Sequence, residues 1–184
     1  MTTVPPLPDP GVQSPADRMA ISRRFIQHAR EELVRGNRLQ AGEKIWGAVA
    51  QHLKLFAEQR GWKHRRHQQV QQAGYQLMAE YPDYRPTDLS VAFTNAYFKG
   101  HENFYENQYD VEDIEEAITS VEEVLPLLEA IHSEVPRPFT ITSNIERKRL
   151  AELTGDNSLQ VGDTSPVGFS LRHAPSPASD DRQG

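Results

Sequence analysis

The sequence has no cysteine in its 184 residues, so neither a disulfide framework nor a thiolate zinc site can form. No apolar run approaches the roughly 20 residues that a membrane span requires. The opening residues, MTTVPPLPDP, also lack the apolar core of a signal peptide. From these absences we expect a cytoplasmic protein with no membrane contact.

Several catalytic signatures are missing as well. The chain has no glycine-rich phosphate loop and no serine–histidine–aspartate arrangement, which leaves nucleotide hydrolysis and acyl transfer without support. His101 and Glu102 lack the second histidine of the His-Glu-x-x-His pattern. His64 and His67 have a spacing that a metal can bridge on a helix, but no third ligand is near and adjacent arginines would repel a dication. We therefore predict no metal and no cofactor.

Helical periodicity is the strongest signal that the sequence does contain. Between Leu39 and Arg60, a stretch closed by Gly61, large apolar residues recur every three or four positions and form one broad stripe. Trp46 lies beside this stripe and should face the core. Similar stripes follow in the neighbouring segments. The pattern predicts an all-α fold, an antiparallel up-and-down bundle of four to five helices.

Capping and breaking residues mark the helix boundaries. Ser14 and Pro15 predict the start of the first helix, Asn37 a capping box for the central helix, and Asp110 the cap of the last bundle helix. A fourth helix should open at Arg85-Pro86-Thr87-Asp88, with an apolar side that runs from Leu89 to Phe104. Pro126 interrupts an apolar pattern that continues on both sides, which predicts a kink rather than a stop.

These signals divide the chain into four parts. Residues 1–13 are a proline-rich, disordered lead, and residues 14–135 form the helical bundle. Residues 136–155 are a linker and a short basic helix that begins at a capping box on Ser143 and ends at Gly155. Residues 156–184 are predicted to be a disordered tail, because their scattered hydrophobic residues can bury little surface.

Charge is distributed unevenly along a chain of net charge −6. Between Gly100 and Pro136 there are eleven aspartates and glutamates and no lysine or arginine. The connector after the central helix carries instead a dense basic run, Arg60, Lys63, Arg65 and Arg66. Such a run is typical of a solvated surface, of a patch that binds a polyanion, or of charge-matched self-association.

Three segments stand out in sequence order: AGEKIWGAVAQHLKLFAEQRGW in the central helix, KHRRHQQV in the connector and GHENFYEN at the end of the fourth helix. Together they resemble the PaREP-type branch of the HEPN superfamily over roughly residues 18–132. The resemblance implies a helical bundle that pairs into a homodimer. Members include metal-independent ribonucleases, toxins, and inactive modules that accompany nucleotidyltransferases.

Active members carry an arginine followed, four to six residues later, by a histidine. The resemblance places that histidine at His101, where it could accept a proton from a 2′-hydroxyl, but residues 94–96 contain no arginine to neutralise the charge on phosphorus. Lys99, the nearest cation, should lie on another helix face. Arg60 and His67 have a similar spacing but span a helix end and a connector, where turn packing is the alternative role. We expect no standard nuclease activity.

The sequence leaves three functions open. The first is a dimeric protein that binds RNA or a nucleotide through Lys63, His64, Arg65 and Arg66, with Asn103 and Tyr105 beside His101 in a polar pocket or a dimer seam; Trp62 could stack on a base or close the end of the bundle. The alternative is a protein-interaction module that partners a nucleotidyltransferase or a toxin–antitoxin component. A second alternative is a metal-independent ribonuclease that uses His101 or the Arg60/His67 pair.

Overall fold

The computed structural model describes residues 13–83 and 86–165, and its architecture confirms the predicted all-α bundle. The helical elements are α1 (Pro15–Val34), α2 (Arg38–Arg60), α3 (His67–Glu80), α4 (Pro86–Thr94), a π-helix (Asn95–Glu102), α5 (Asn103–Glu106), α6 (Val111–Ser133) and α7 (Asn144–Thr154). Two short strands, β1 (Phe139–Thr140) and β2 (Thr164–Ser165), pair antiparallel. None of the helices in these ranges combines the length and the apolar composition that crossing a bilayer requires.

The α1–α2 helical hairpin begins as predicted. Ser14 Oγ accepts the N–H of Asp17, and the Asp17 carboxylate accepts the N–H of Ser14. Gly36 supplies the positive φ of 81° at the turn. The capping box predicted at Asn37 is wrong. Its side chain makes no cap bond to α2. Instead, the Asn37 amide donates to Glu32 Oε2 at 2.7 Å, in the last turn of α1.

α2 is the central helix of the core, and it packs against α1, α3, α6 and the π-helix. Its stripe residues Ile45, Val49 and Phe56 have no exposed surface, and Trp46 is 5% exposed. The predicted stripe and the inward orientation of the indole are therefore confirmed. Gly61 ends the helix with a φ of 71°, a left-handed conformation that glycine adopts without strain.

The fourth helix predicted from the sequence is confirmed as a continuous helical segment, but its second half is not an α-helix. α4 stops at Thr94, and a π-helix continues the chain to Glu102. The predicted start at Arg85 lies outside the described residues. The backbone of the π-helix touches α2, since a Cβ placed on Gly100 would lie 2.7 Å from the carbonyl oxygen of Gly42. This approach of two glycines brings the residues after Gly100 against α2.

α6 carries the acidic sequence and closes the bundle. The Asp110 carboxylate accepts the N–H of Asp113, as its predicted capping role requires. The helix continues through Pro126, so the proline does not stop it; the kink stays a prediction. The buried face of α6 includes Ile114, Ile118 and Leu128, none of which has exposed surface.

Residues 136–165 form a second, smaller core against the ends of α2 and α3. Its buried residues are Ala57, Trp62, Ala73, Ile141, Leu150, Leu153 and Leu159. The predicted boundaries of the basic helix are confirmed, because Ser143 caps α7 and Gly155 follows it with a φ of 78°. Trp62 is 2% exposed, so of its two predicted roles the structure supports closure of the bundle end and not stacking on a base.

The predicted tail needs a correction in its first part. Residues 156–165 return to the body of the protein, where the N–H of Ile141 donates to Asp163 O at 2.9 Å and the N–H of Gly162 donates to Ile141 O at 2.8 Å. Leu159 is buried in the second core. One buried leucine and a two-residue strand pair are therefore enough to order residues 156–165 against the neighbouring surface. The predicted lead, apart from residue 13, and the tail beyond residue 165 lie outside the described residues.

A histidine lies buried between α2 and α6. His52 has no exposed surface, its ring nitrogens make no hydrogen bond within the described residues, and Nε2 lies 3.6 Å from Glu129 Oε1. Burial lowers the pKa of His52. It also lowers the pKa of His132, whose ring packs edge-on against Phe56.

We expect the free energy of unfolding to fall as the pH drops through about 6.5, the ordinary pKa of histidine. The unfolded chain binds protons there that the buried rings do not accept, so acid favours unfolding and the stabilising contribution is complete only above that pH. Urea unfolding at several pH values from about 5 to about 8 measures the effect. His52→Leu should weaken the pH dependence, whereas the control His28→Gln, at a partly exposed position of α1, should not. Equal pH dependence in both variants would contradict this.

Candidate nucleic-acid interface

The basic connector between α2 and α3 is a loop that we call the basic loop, residues 63–66. Gly61 ends α2, and the Gln69 side chain fixes the other end, because its Oε1 accepts the N–H of Arg65 at 3.0 Å and that of Arg66 at 3.2 Å. The side chains of Arg65 and Arg66 are exposed. Within the described part of the chain, neither guanidinium pairs with a carboxylate. Both charges are therefore available to an anion.

The other two residues of the basic loop have partners. The Lys63 N–H donates to Leu153 O at 2.7 Å, and Lys63 Nζ lies at the carboxyl end of α7, 2.9 Å from where a Cβ on Gly155 would be. The partial negative charge of that helix end attracts the ammonium. His64 Nδ1 lies 2.9 Å from Trp62 O. The Lys63 side chain is nevertheless exposed, and both residues line the groove beside the loop.

The structure brings together two predicted site residues that are far apart in the sequence. His67, at the start of α3, and His101, in the π-helix, are stacked with ring centroids 5.0 Å apart and an interplanar angle of 26°. Trp46 lies beside both, at 6.5 Å from His67 and 5.8 Å from His101. His101 Nδ1 lies 3.2 Å from Glu43 Oε1 on α2. The histidine pair is therefore held by α2, α3 and the π-helix together.

Aromatic rings continue from this pair toward solvent. Tyr105 packs edge-on against His101 with centroids 5.8 Å apart, and Phe104 lies 5.4 Å from Tyr105. Tyr105 is 72% exposed and Phe104 is 37% exposed. Asn103, by contrast, is 1% exposed, and its Oδ1 accepts the N–H groups of residues 108 and 109. Asn103 therefore orders the turn before α6 and is not a surface ligand-binding group.

Two grooves adjoin the basic loop and the histidine pair. One, of about 690 Å³, lies between the loop and α7, and its lining includes Lys63, His64, Arg65, Arg66, Gln69 and Glu152. The other, of about 420 Å³, runs along α2 and is lined by Glu43, Lys44, Lys54, Trp46, His67 and Phe104. A cleft of about 80 Å³ lies between them, and it shares Lys54 and His67 with the α2 groove and Arg65 and Arg66 with the loop groove. The three form one continuous, mainly basic surface.

Sequence reasoning missed several residues of this surface, Lys44 among them. Glu43, Lys54 and Phe104 line the α2 groove, and burial lowers the pKa of Lys54. Glu43 and Phe104 were both present in the segments that carry the family resemblance. The missing signal was the helical geometry: Glu43, Trp46, Ala50 and Lys54 follow one another at intervals of three or four residues, so they share a face of α2.

Arg60 does not take part in this surface. It is 1% exposed and forms an ion pair with Glu80, whose Oε2 accepts from Nη2 at 2.7 Å and from Nε at 3.0 Å. Its guanidinium also lies over the rings of Phe56 and Trp62, at 5.5 and 5.2 Å from their centroids. The spacing of Arg60 and His67 in the sequence therefore does not produce a catalytic pair, because the arginine is committed to the core.

Lys99 faces away from His101. Its Nζ lies 2.9 Å from Glu116 Oε2 and 3.4 Å from Asp113 Oδ1, both on α6. The prediction that Lys99 lies on a different helix face from His101 is confirmed. His101 has Glu43 and His67 as neighbours instead, and Lys99 brings it no cation.

Comparisons with known proteins give one match. The model of a family described as "Archaeal PaREP1/PaREP8 family" matches residues 17–125. No curated protein and no solved structure matches the chain. The matched range covers more than half of the chain and runs from α1 into α6. It includes the basic loop, the histidine pair and Tyr105, but not α7, which supplies one wall of the loop groove.

Proposed function

This chain belongs to the archaeal PaREP1/PaREP8 family, and we propose that it binds RNA without cleaving it. The observation that carries the proposal is the pair of exposed arginines, Arg65 and Arg66, on a loop with a fixed backbone between two grooves. Arginine donates several hydrogen bonds in a fork that fits phosphate oxygens. The grooves on either side allow a strand to continue past the loop.

The charges around the loop support a polyanion over a neutral ligand. Lys44, Lys54 and His67 line the α2 groove beside it, and Glu43 is the carboxylate among them. On the far side, Glu152 lines the loop groove and accepts from Gln69 Nε2 at 3.2 Å. A phosphate backbone that crosses Arg65 and Arg66 therefore follows a path with more cations than anions, although the whole chain has a net charge of −6.

Replacing these two arginines tests the proposal. Arg65→Gln with Arg66→Gln should lower the affinity for a labelled mixed-sequence RNA at moderate salt and reduce the salt dependence. Each lost phosphate contact should lower the slope of log K against log salt by about 0.7 for a single strand. Fluorescence anisotropy across a salt series measures both quantities.

A matched control removes the same charge from another face. Arg23→Gln with Arg35→Gln changes two exposed arginines, one on α1 and one directly after it, and should leave both affinity and slope within error of the wild type. Equal losses in the two double variants would mean that only net charge matters, and undetectable binding by the wild type would remove the proposal. RNA incubated with chelator should stay intact, and cleavage that His101→Ala abolishes would support the ribonuclease alternative instead.

An apolar cleft supports a second candidate, a protein-interaction module. It lies between α2, α3, α4 and the π-helix. Tyr75 and Phe98 line the cleft and are 42% and 41% exposed, and Val91, on α4, is 46% exposed. A partner protein or a second copy of the chain would bury them, as the expected homodimer requires. A chain that fails to bind RNA and is recovered with one stoichiometric protein partner would favour this candidate.

A further inference from the structure

Aromatic rings extend the basic surface from the basic loop toward solvent. From the basic loop, the surface passes over His67 and His101 to Tyr105 and Phe104, with successive ring centroids 5.0, 5.8 and 5.4 Å apart. We call these four side chains the aromatic ledge. Phe104 and His67 also line the α2 groove, together with Lys44 and Lys54. Cations and aromatic rings therefore lie along a single path.

We infer that this path selects an unpaired RNA strand, with its phosphates on Arg65, Arg66 and the groove lysines and its bases on the aromatic ledge. The inference rests on the proposed function and names its substrate class. A base must leave its partner to lie against a protein ring, so a stacking ledge favours single strands, whereas phosphate contacts alone do not distinguish a single strand from a duplex.

The burial of each ring supports a role in binding over a role in packing. Trp46 anchors the inner end of the ledge at 5% exposure. Tyr105, at the outer end, is 72% exposed, and Phe104 is 37% exposed. Rings this exposed add little to the core, yet their neighbours hold them in place: His101 is fixed by Glu43, and Asn103 orders the turn that follows. The ledge is thus ordered before any ligand binds, which lowers the entropic cost of binding.

Glu43 fits an RNA strand as well. Its carboxylate is about one-third exposed in the α2 groove and lies 3.2 Å from His101 Nδ1. A carboxylate repels phosphate, but it accepts hydrogen bonds from a ribose hydroxyl or a base amine. Its position beside the ledge, and away from Arg65 and Arg66, separates a base-and-sugar region from a phosphate region.

The test compares a labelled unpaired RNA with the blunt duplex of the same sequence. We expect the wild type to bind the unpaired strand at least about tenfold more tightly. Phe104→Ala with Tyr105→Ala should weaken binding of the unpaired strand by about 10- to 100-fold and leave duplex affinity and the salt slope unchanged. A 2-aminopurine in the unpaired strand should be quenched by the wild type and not by this double variant.

Three further variants make the result decisive. Phe98→Ala removes a ring of the π-helix that lies outside the ledge and is about as exposed as Phe104, at 41% against 37%. It should leave the affinity for both RNAs unchanged. Tyr105→Phe keeps the ring and should bind as the wild type. Tyr105→Ala, at a position that is 72% exposed, should fold normally and still bind the unpaired strand more weakly than the wild type. A wild type that binds the duplex as tightly as the single strand overturns this inference and leaves the proposed function standing. A wild type that binds neither overturns both.

Discussion

Replacing Arg60 with alanine should lower the free energy of unfolding by about 3–5 kcal/mol. The change leaves the Glu80 carboxylate, which has no exposed side-chain surface, without its cation. Burial raises the pKa of Glu80, and Arg60 opposes that shift. The remaining hydrogen bond, from Gln76 Nε2 at 3.5 Å, is too long to compensate a buried charge. Urea unfolding of the variant and the wild type measures the difference.

The loss should shrink on acidification, which separates it from simple loss of packing. A protonated Glu80 carries no charge, so below its raised pKa the variant no longer contains a buried, unpaired anion. Comparing the variant with the wild type at each pH cancels the contribution of His52, whose pKa shift does not depend on Arg60. A difference in stability that does not depend on pH would show that the ion pair is not its source.

The double variant Arg60→Met with Glu80→Leu is the matched control. Apolar residues of similar volume often replace a buried ion pair at little cost, so its stability should lie within about 1 kcal/mol of the wild type or above it. It should also bind RNA normally, because Arg60 lies in the core. Loss of RNA binding in this folded variant would indicate that Arg60 contributes to the binding site.

Gly100→Ala should be the most disruptive small substitution, with a loss of about 1–3 kcal/mol. The added Cβ would lie 2.7 Å from Gly42 O and 3.4 Å from the backbone nitrogen of Trp46. Both atoms belong to the backbone of α2, which cannot move aside as a side chain can. α2 and the π-helix must then separate, and His101 must move away from Glu43. Urea unfolding and RNA affinity together report the two consequences.

Gly74→Ala tests whether space, rather than the loss of a glycine, causes the effect. A Cβ there would meet the flexible end of Leu53 at 3.3 Å. Since alanine is also the better helix former by about 0.5–1 kcal/mol, the two effects should nearly cancel. A Gly100→Ala protein as stable as Gly74→Ala would mean that the two helices do not touch as closely as described.

Most of the bundle could be predicted because its signals are local. The stripe of Ile45, Val49, Leu53 and Phe56 depends on spacing along one helix, and the caps at Ser14, Asp110 and Ser143 depend on groups three residues apart. The capping box predicted at Asn37 was wrong because its side chain bonds outside the helix that it precedes. Its amide found a partner in Glu32, in the preceding helix, that a rule for the start of one helix does not consider.

The candidate site was predictable as a set of residues but not as an arrangement. Arg65 and Arg66 were identified from charge density and remain on the surface. Arg60, five positions earlier in the same basic run, is buried, and composition cannot distinguish the two cases because burial depends on Glu80 from another helix. Likewise, no spacing rule relates His67 to His101, which 34 positions separate in the chain and which the π-helix brings to 5.0 Å.

The sequence by itself determined the helical class, the central helix and its buried tryptophan, the basic loop and the family to which the chain belongs. Each of these depends on residues that are neighbours in the chain or on one helix face. Tertiary structure alone decided which cations are buried, which histidines meet and where the exposed rings lie. Those outcomes depend on how closely whole helices approach, and that distance is set by contacts such as the one between Gly42 and Gly100, which lie far apart in the sequence.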